Sequence, residues 1–435
     1  MATVSSRVVE TISIKSVSAL AQAPRLISVD LLHGVVMVIM ALDHTRDFFT
    51  YLRISPEDIT QTYGALFFTR VITHFCAPVF CFLAGTGAFL ATSRGKTVGQ
   101  VSWLFFTRGL WLVFLELTVC SFAWTFSPSY LFSGALVLWA LGWSMVAMAL
   151  LVRLPVRWIA GLGLFMMATH NLLDPINPAS FGKFSWLWMM IHTPGFYFFT
   201  PHFGFNIYYS LVPYIGIMAS GYAFGTILQR PDRRKVILRL GFAATSLFFV
   251  VRGINHYGNG LANMPFGYSL SAGPWIVQPT HTLTIISFFN TLKYPPSLDY
   301  LLMTLGPALI ALGLFEGARA DRGLSRFFLV YGRVPMFYYL SHLYLIHIMT
   351  FVVAWICHQP TYNLWHGGIF TSPDNGYGHG LPFIYAIWIS AVLILYYPCR
   401  WFMEYKRRHR DWNWLPIFRR VRWLRKTNRV LQVIC

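Results

Sequence analysis

Charge is what this sequence has least of. Asp, Glu, Lys and Arg together supply 11 % of the 435 residues, with 15 acidic against 34 basic side chains. A soluble domain carries about 25 % charged residues, so this chain cannot cover a globular surface in water. Cysteine is sparse as well: Cys76, Cys81, Cys120, Cys357, Cys399 and Cys435 are scattered and form no CxxC pair. That pattern indicates neither a metal cluster nor a disulfide framework. The phosphate loop GxxxxGK[ST], the zinc motif HExxH and Asp-rich metal loops are all missing. Gly85-Thr-Gly87 follows no strand, so it fails as a dinucleotide fingerprint and reads as small-residue helix packing. Ala19-Leu-Ala-Gln-Ala23 imitates a signal-peptidase site, but Val8 to Ser18 contains Glu10 and Lys15. The required apolar stretch of about 7–15 residues is lacking, and no cleavage is expected.

What the chain has instead is apolar length. Hydrophobic residues make up 56 % of it, mean hydropathy is +0.54, and unbroken runs of about 20 apolar residues suit spanning helices. A β-barrel would show short alternating strands. The expected fold is an all-α polytopic membrane protein with about ten transmembrane helices. They are predicted near 28–49, 65–93, 101–123, 130–151, 155–172, 203–228, 235–252, 297–316, 327–356 and 381–403.

The net charge of +19 invites a nucleic-acid reading, but the positions of the basic residues oppose it. Arg94 and Lys96, Arg153 and Arg157, Arg230 with Arg233, Arg234 and Lys235, and Arg319 with Arg322 and Arg326 mark every second connection. The 358–380 loop has neither Lys nor Arg. The positive-inside rule then places both termini in the cytoplasm, as an even helix number requires. Residues 1–24 are expected to be a cytoplasmic leader and 25–405 the membrane domain. Residues 406–435, with Tyr405-Lys-Arg-Arg-His-Arg410 ahead of Phe418-Arg-Arg-Val-Arg-Trp-Leu-Arg-Lys426, form a basic-aromatic tail suited to anionic lipid headgroups. Two long outer connections, 173–202 and 253–296, are rich in aromatics and proline. They include Trp186, Trp188, His192, His202, His256 and His281, and are expected to cover a cavity as re-entrant or interfacial pieces.

The first predicted helix ends in Asp43, His44, Arg46 and Asp47. Ionisable groups at membrane depth cost roughly 2.5–3.5 kcal/mol each on insertion scales. Asp43, Arg46 and Asp47 share a face at i, i+3 and i+4 and can neutralise one another. His44 is the one group there that exchanges protons near neutral pH. At about 1.5 Å per residue, His44, His74 and His342 fall at matched depth, joined by Asp43 and Arg70, while Arg333 lies near the cytoplasmic end. A plain Asp–Arg helix cap at the headgroup boundary would use the same residues. Any single histidine here, His170 and His347 above all, also fits a hydrogen-bonded core role.

Several segments together suggest a family. Arg25-Leu-Ile-Ser-Val-Asp30, His33-Gly34 and Met40-Ala-Leu-Asp-His44 resemble the opening helix of the heparan-α-glucosaminide N-acetyltransferase catalytic-domain family, more narrowly its bacterial branch. Thr73-His-Phe-Cys-Ala-Pro-Val-Phe-Cys-Phe-Leu-Ala-Gly85 resembles its second helix. Tyr331-Gly-Arg-Val-Pro-Met-Phe-Tyr-Tyr-Leu-Ser-His342 resembles a late helix carrying a histidine, and Leu283 to Pro307, with Lys293-Tyr-Pro-Pro296, is similar to the bacterial branch. The resemblance spans roughly 25–405. It implies a transmembrane acyltransferase that takes acetyl groups from cytoplasmic acetyl-CoA to a sugar or glycan acceptor on the far side, in a bacterial inner membrane. The animal enzymes carry a histidine in the loop after the first helix, and none stands between Thr45 and Thr73 here.

Under that reading His44 is the general base, oriented by Asp43 or Asp47 as a carboxylate orients a catalytic imidazole. His74 or His342 would protonate the departing thiolate or carry a transient acetyl group. Arg70 would hold the thioester carbonyl. Arg333, with Lys293, would bind coenzyme A, arginine suiting phosphate geometry. No metal is expected, and a homodimer is left open. The alternative is a proton-coupled secondary transporter relaying protons through Asp43, His44 and His74, although no inverted repeat is evident. A non-catalytic membrane scaffold would explain the tail and leave the buried charges without a purpose.

Overall fold

The computed structural model describes residues 26–409 apart from 52–54, 94, 128–131, 201–202, 261–272, 367–373 and 375. The 1–24 leader, all but the first four residues of the 406–435 tail, Arg94 and His202 lie outside the described residues. In chain order the labelled elements begin with α1 (Ile27–Phe49), α2 (Gly64–Thr73), α3 (Cys76–Ser93), α4 (Val98–Leu115), α5 (Ser121–Thr125), β1 (Phe132–Ala135), α6 (Val137–Leu151) and α7 (Val156–Thr169). They continue with α8 (Ser185–Ile191), β2 (Gly195–Thr200), β3 (Phe203–Ile207), α9 (Leu211–Phe224), α10 (Arg233–Ile254), α11 (His281–Phe289), α12 (Leu298–Phe315), α13 (Gly323–Gly332), α14 (Pro335–Ile356), α15 (Tyr362–His366) and α16 (Leu381–Arg408).

Eight described helical segments are long and apolar enough to cross a membrane. Three of them are compound, Leu211–Gln229 being α9 followed by the 3-10 turn Ile227–Gln229. Gly64–Ser93 is α2 and α3 joined across His74-Phe75, and Val98–Thr125 is α4 and α5 joined by a π-helical turn, Glu116–Cys120. The remaining two predicted helices are present but short. The 15 residues of α6 and 14 of α7 span about 21–22 Å against a hydrocarbon core of about 30 Å. The chain is a helical polytopic membrane protein.

Two predicted helices, 130–151 and 203–228, are shortened because their first residues form strands. β1 pairs in parallel with β3, and β2 pairs antiparallel with β3, giving the order β1-β3-β2. Aromatic residues fill Gly195-Phe-Tyr-Phe-Phe-Thr200, and such residues fit a pleated surface. The predicted 327–356 helix is also two, α13 and α14, broken at Arg333-Val334. Pro335 has no N–H to continue a helix and keeps Val334 out of the helical region.

α1 runs through the middle of the bundle, packed against α3, α12, α13, α14 and α16. It approaches α13 backbone to backbone: a Cβ on Gly34 would fall 2.0 Å from the Phe328 carbonyl oxygen, and one on Gly332 would fall 1.8 Å from that of Asp30. α3 meets α9 the same way, Gly85 lying against the Met218 carbonyl and Thr86 donating to the Gly221 carbonyl at 2.9 Å. Of the Gly85-Thr-Gly87 pair, Gly85 does the close packing, whereas a Cβ on Gly87 would meet nothing within 4 Å.

The 253–296 connection is organised by Arg252, a fully buried side chain near the end of α10. Its guanidinium donates to the carbonyls of Gly273, Ser287, Phe288 and Asn290 and to Asn259 Oδ1 at 2.6 Å, and sits 3.3 Å from Asp299 Oδ2. Asn290 in turn donates to the Glu57 carbonyl at 2.8 Å, tying this connection to the 50–63 loop at the Phe49 end of α1.

Candidate active site

The charges at the end of α1 form a closed network. Arg46 Nη2 lies 2.7 Å from Asp43 Oδ1 and 2.6 Å from Asp47 Oδ1, as the i, i+3, i+4 spacing requires. α2 lays Arg70 and Thr73 against the same carboxylate. Arg70 Nη1 donates to both Asp43 oxygens at 2.8 Å, and the Thr73 hydroxyl donates to Oδ1 at 2.8 Å. Arg70 Nε reaches Glu57 Oε1 at 2.7 Å. Lys293 Nζ, from the 253–296 connection, is 3.7 Å from Asp43 Oδ2. Three carboxylates therefore face three cations, and the cluster requires no external charge.

Glu57 belongs to the loop between spans. Burial alone would raise its carboxyl, but the Arg70 guanidinium, helped by His74, holds it well below the ordinary range of 4.5. His74 caps α2, its Nε2 3.5 Å from Glu57 Oε1, and Tyr300 donates to its carbonyl at 2.8 Å. The other ring nitrogen, Nδ1, is buried and has no partner among the described residues.

His44 points away from this network, about 100° further round α1. Its Nδ1 is 2.7 Å from His342 Nε2 on α14, and His342 Nδ1 is 2.9 Å from the Tyr338 carbonyl oxygen. A carbonyl only accepts, so His342 Nδ1 carries the proton and its Nε2, in the neutral ring, accepts. The hydrogen-bond pattern then assigns His44 Nδ1 as donor and leaves a lone pair on His44 Nε2. No described residue bonds that nitrogen. Trp124 lies edge-on to the His44 ring at 4.7 Å between centroids, and Tyr339 at 6.4 Å.

Several expectations change on this geometry. No carboxylate orients His44; His342 does, because Asp43 and Asp47 are taken up by Arg46 and Arg70. Arg70 has its Nε and Nη1 committed to Glu57 and Asp43. Lys293 sits beside Asp43 rather than beside Arg333. Arg333 is at the other end of α1, in the α13–α14 break, 3.5 Å from Asp30 Oδ2. His74 joins the ion network through Glu57 and does not touch His44.

His347 is held by the Ala123 and Leu364 carbonyls, at 2.8 and 3.3 Å. His170 packs beside His192, which bonds Asp174 at 2.7 Å. Trp188 stacks on Phe181 and Trp186 meets Phe199 edge-on, so both help pack their own segment. Among the described residues no three His, Cys, Asp or Glu side chains are placed to hold a metal ion.

Glu57, Thr73, Trp124 and Glu116 were not singled out from sequence. Glu57 gives no sequence signal beyond being acidic. Glu116 does: it is a lone carboxylate inside an apolar run, and its Oε2 accepts from the backbone N–H groups of Leu138 and Trp139 at the start of α6.

Residues 25–255 match the family model for the catalytic domain of heparan-alpha-glucosaminide N-acetyltransferase, more than half of the chain. The chain belongs to that family. The heparan-alpha-glucosaminide N-acetyltransferase family makes it a membrane-bound acyltransferase, specifically an acetyltransferase. The match contains Asp43, His44, Glu57, Arg70, His74 and Trp124, and ends before Lys293, Arg333 and His342. No curated protein shows significant similarity to the chain.

Proposed function

We propose that this family member transfers an acetyl group from acetyl-CoA, bound from the cytoplasmic face, to the amine or hydroxyl of a sugar or glycan on the opposite face of a bacterial inner membrane. The observation carrying this reading is the His44–His342 pair, whose geometry leaves His44 Nε2 as an unengaged base. Alternate-loop charges support a topology with both termini cytoplasmic, which places Arg333 at the cytoplasmic end of α1 and His44 towards the other. Fourteen residues of α1 separate Asp30 from His44, about 21 Å, a distance of the order of an extended pantetheine arm. Arg333 would then meet the phosphates of coenzyme A and Lys293 the acyl end. The 406–435 tail would lie on anionic headgroups, led by Lys406, Arg407 and Arg408 at the end of α16.

The chemistry follows from the tautomers. The acceptor X–H donates to His44 Nε2 and X attacks the thioester carbon; His44 takes the proton as the tetrahedral intermediate forms. The resulting imidazolium keeps its Nδ1–H on His342. The C–S bond then breaks, and the thiolate recovers the proton from His44, giving acetylated acceptor and free coenzyme A. The test is release of coenzyme A by the protein in nanodiscs, with and without glucosamine-type acceptors, beside His44→Ala and His74→Ala. Release that vanishes in His44→Ala supports the assignment. No release, with no binding of acetyl-CoA, would remove the acetyl-CoA mechanism and leave proton-coupled transport as the reading.

A further inference from the structure

Arg70 Nε and Nη1 are committed to Glu57 and Asp43, whereas a donor for the negative charge that develops on the thioester oxygen has to lie beside the base. We infer that the indole N–H of Trp124 is that donor, an assignment that rests on the acyl-transfer reading above. Trp124 sits in α5, 3 % exposed, with one face stacked on Phe48 at 5.4 Å and its ring edge-on to His44 at 4.7 Å. Its Nε1 is buried and has no hydrogen-bond partner.

Indole nitrogen is a donor only, and a buried tryptophan N–H normally finds an acceptor because leaving it unpaired costs about 1–3 kcal/mol. Trp139 and Trp143 are unpartnered too, but they belong to the separate apolar cluster of Met189, Phe205 and Ile207, with no basic nitrogen in ring contact. Trp124 alone among these three shares a ring contact with His44.

Beside His44 the structure thus sets an acceptor, Nε2, and, in direct ring contact with it, an idle donor, the indole N–H. A hydroxyl or amine attacking a thioester presents the complement: an X–H to give up and a carbonyl oxygen to receive. When X attacks the carbon, the C=O π electrons move onto oxygen; the indole hydrogen bond strengthens there without transferring its proton. It weakens again as the C–S bond breaks and the carbonyl re-forms. The placement in α5 also matters. The π-helical turn Glu116–Cys120 resets the helical phase just before Trp124, and the His347 ring bonds the neighbouring Ala123 carbonyl, so the segment is held from both sides.

The test compares acetyl-CoA turnover in nanodiscs for the wild type, Trp124→Phe, and a protein carrying benzothienylalanine at 124, which keeps the bicyclic shape and loses only the N–H. Both replacements are expected to lower kcat by about 10²–10³ with KM for acetyl-CoA within twofold. In the wild type, the indole ¹H–¹⁵N resonance missing from Trp124→Phe should move downfield when a ketone analogue of acetyl-CoA binds. Turnover by the benzothienylalanine protein within threefold of an active wild type would overturn the donor role and leave the acyltransferase reading standing. A resonance unmoved by the bound analogue would also overturn it. A wild type that turns over no acetyl-CoA would overturn both.

Discussion

At the scale of single residues, the decisive feature is that one carbonyl oxygen, that of Tyr338, fixes the tautomers of two histidines. His44→Ala removes the base and should lower kcat for coenzyme A release by about 10²–10⁴, with acetyl-CoA affinity kept. His342→Ala should lower kcat less, because Nε2 of His44 survives but loses its fixed direction; steady-state kinetics of both variants will show the ordering. Arg70 bridges Asp43 and Glu57 in a buried setting. Arg70→Ala leaves both carboxylates without their shared cation and should cost about 3–5 kcal/mol, read as a lower melting temperature in nanodiscs. Glu57 supplies a pH-dependent version of the same test. Its carboxyl is held below 4.5, so its stabilisation is present above that pH and is lost as pH falls through the lower folded value. The melting difference between wild type and Glu57→Gln should therefore persist from pH 7 to about 4.5 and shrink below it.

Among elements, backbone contact between α1 and α13 sets the position of Arg333. Gly332 sits where a Cβ would fall 1.8 Å from a carbonyl oxygen of α1, so Gly332→Ala must push the helices apart. Overpacking of this kind costs about 1–3 kcal/mol or more, and the variant should melt lower and bind acetyl-CoA more weakly. Gly87→Ala, with nothing within 4 Å, should leave both unchanged. The 253–296 connection depends on a different device. Arg252 ties its described parts together by collecting the carbonyls of Gly273, Ser287, Phe288 and Asn290. Arg252→Met should leave those acceptors unpaired, increasing hydrogen exchange across 281–296 and weakening the placement of Lys293.

On the scale of the whole molecule, α1 has a basic end at Arg333 and a histidine end at His44, and transfer across the membrane follows if the two ends serve different solutions. Proteoliposomes with acetyl-CoA supplied on one side only should release coenzyme A in one orientation alone. Labelled acetyl should appear on acceptor enclosed on the other side.

The sequence by itself determined what depends on composition and local periodicity. Long apolar runs located the spanning helices, the i, i+3, i+4 spacing of Asp43, Arg46 and Asp47 joined one face of α1, and Pro335 broke the late helix. Matched depth along α1 and α14 was enough to bring His44 to His342. Tertiary structure decided the pairings that have no fixed sequence spacing. It gave Arg70 Nε and Nη1 to Glu57 and Asp43, set Lys293 beside Asp43, and turned two predicted helix starts into strands. It also set Trp124 against His44 with its N–H unpaired. Hydrogen-bond direction and charge neutrality are settled among all groups that share a buried volume, and that membership exists only once the helices have packed.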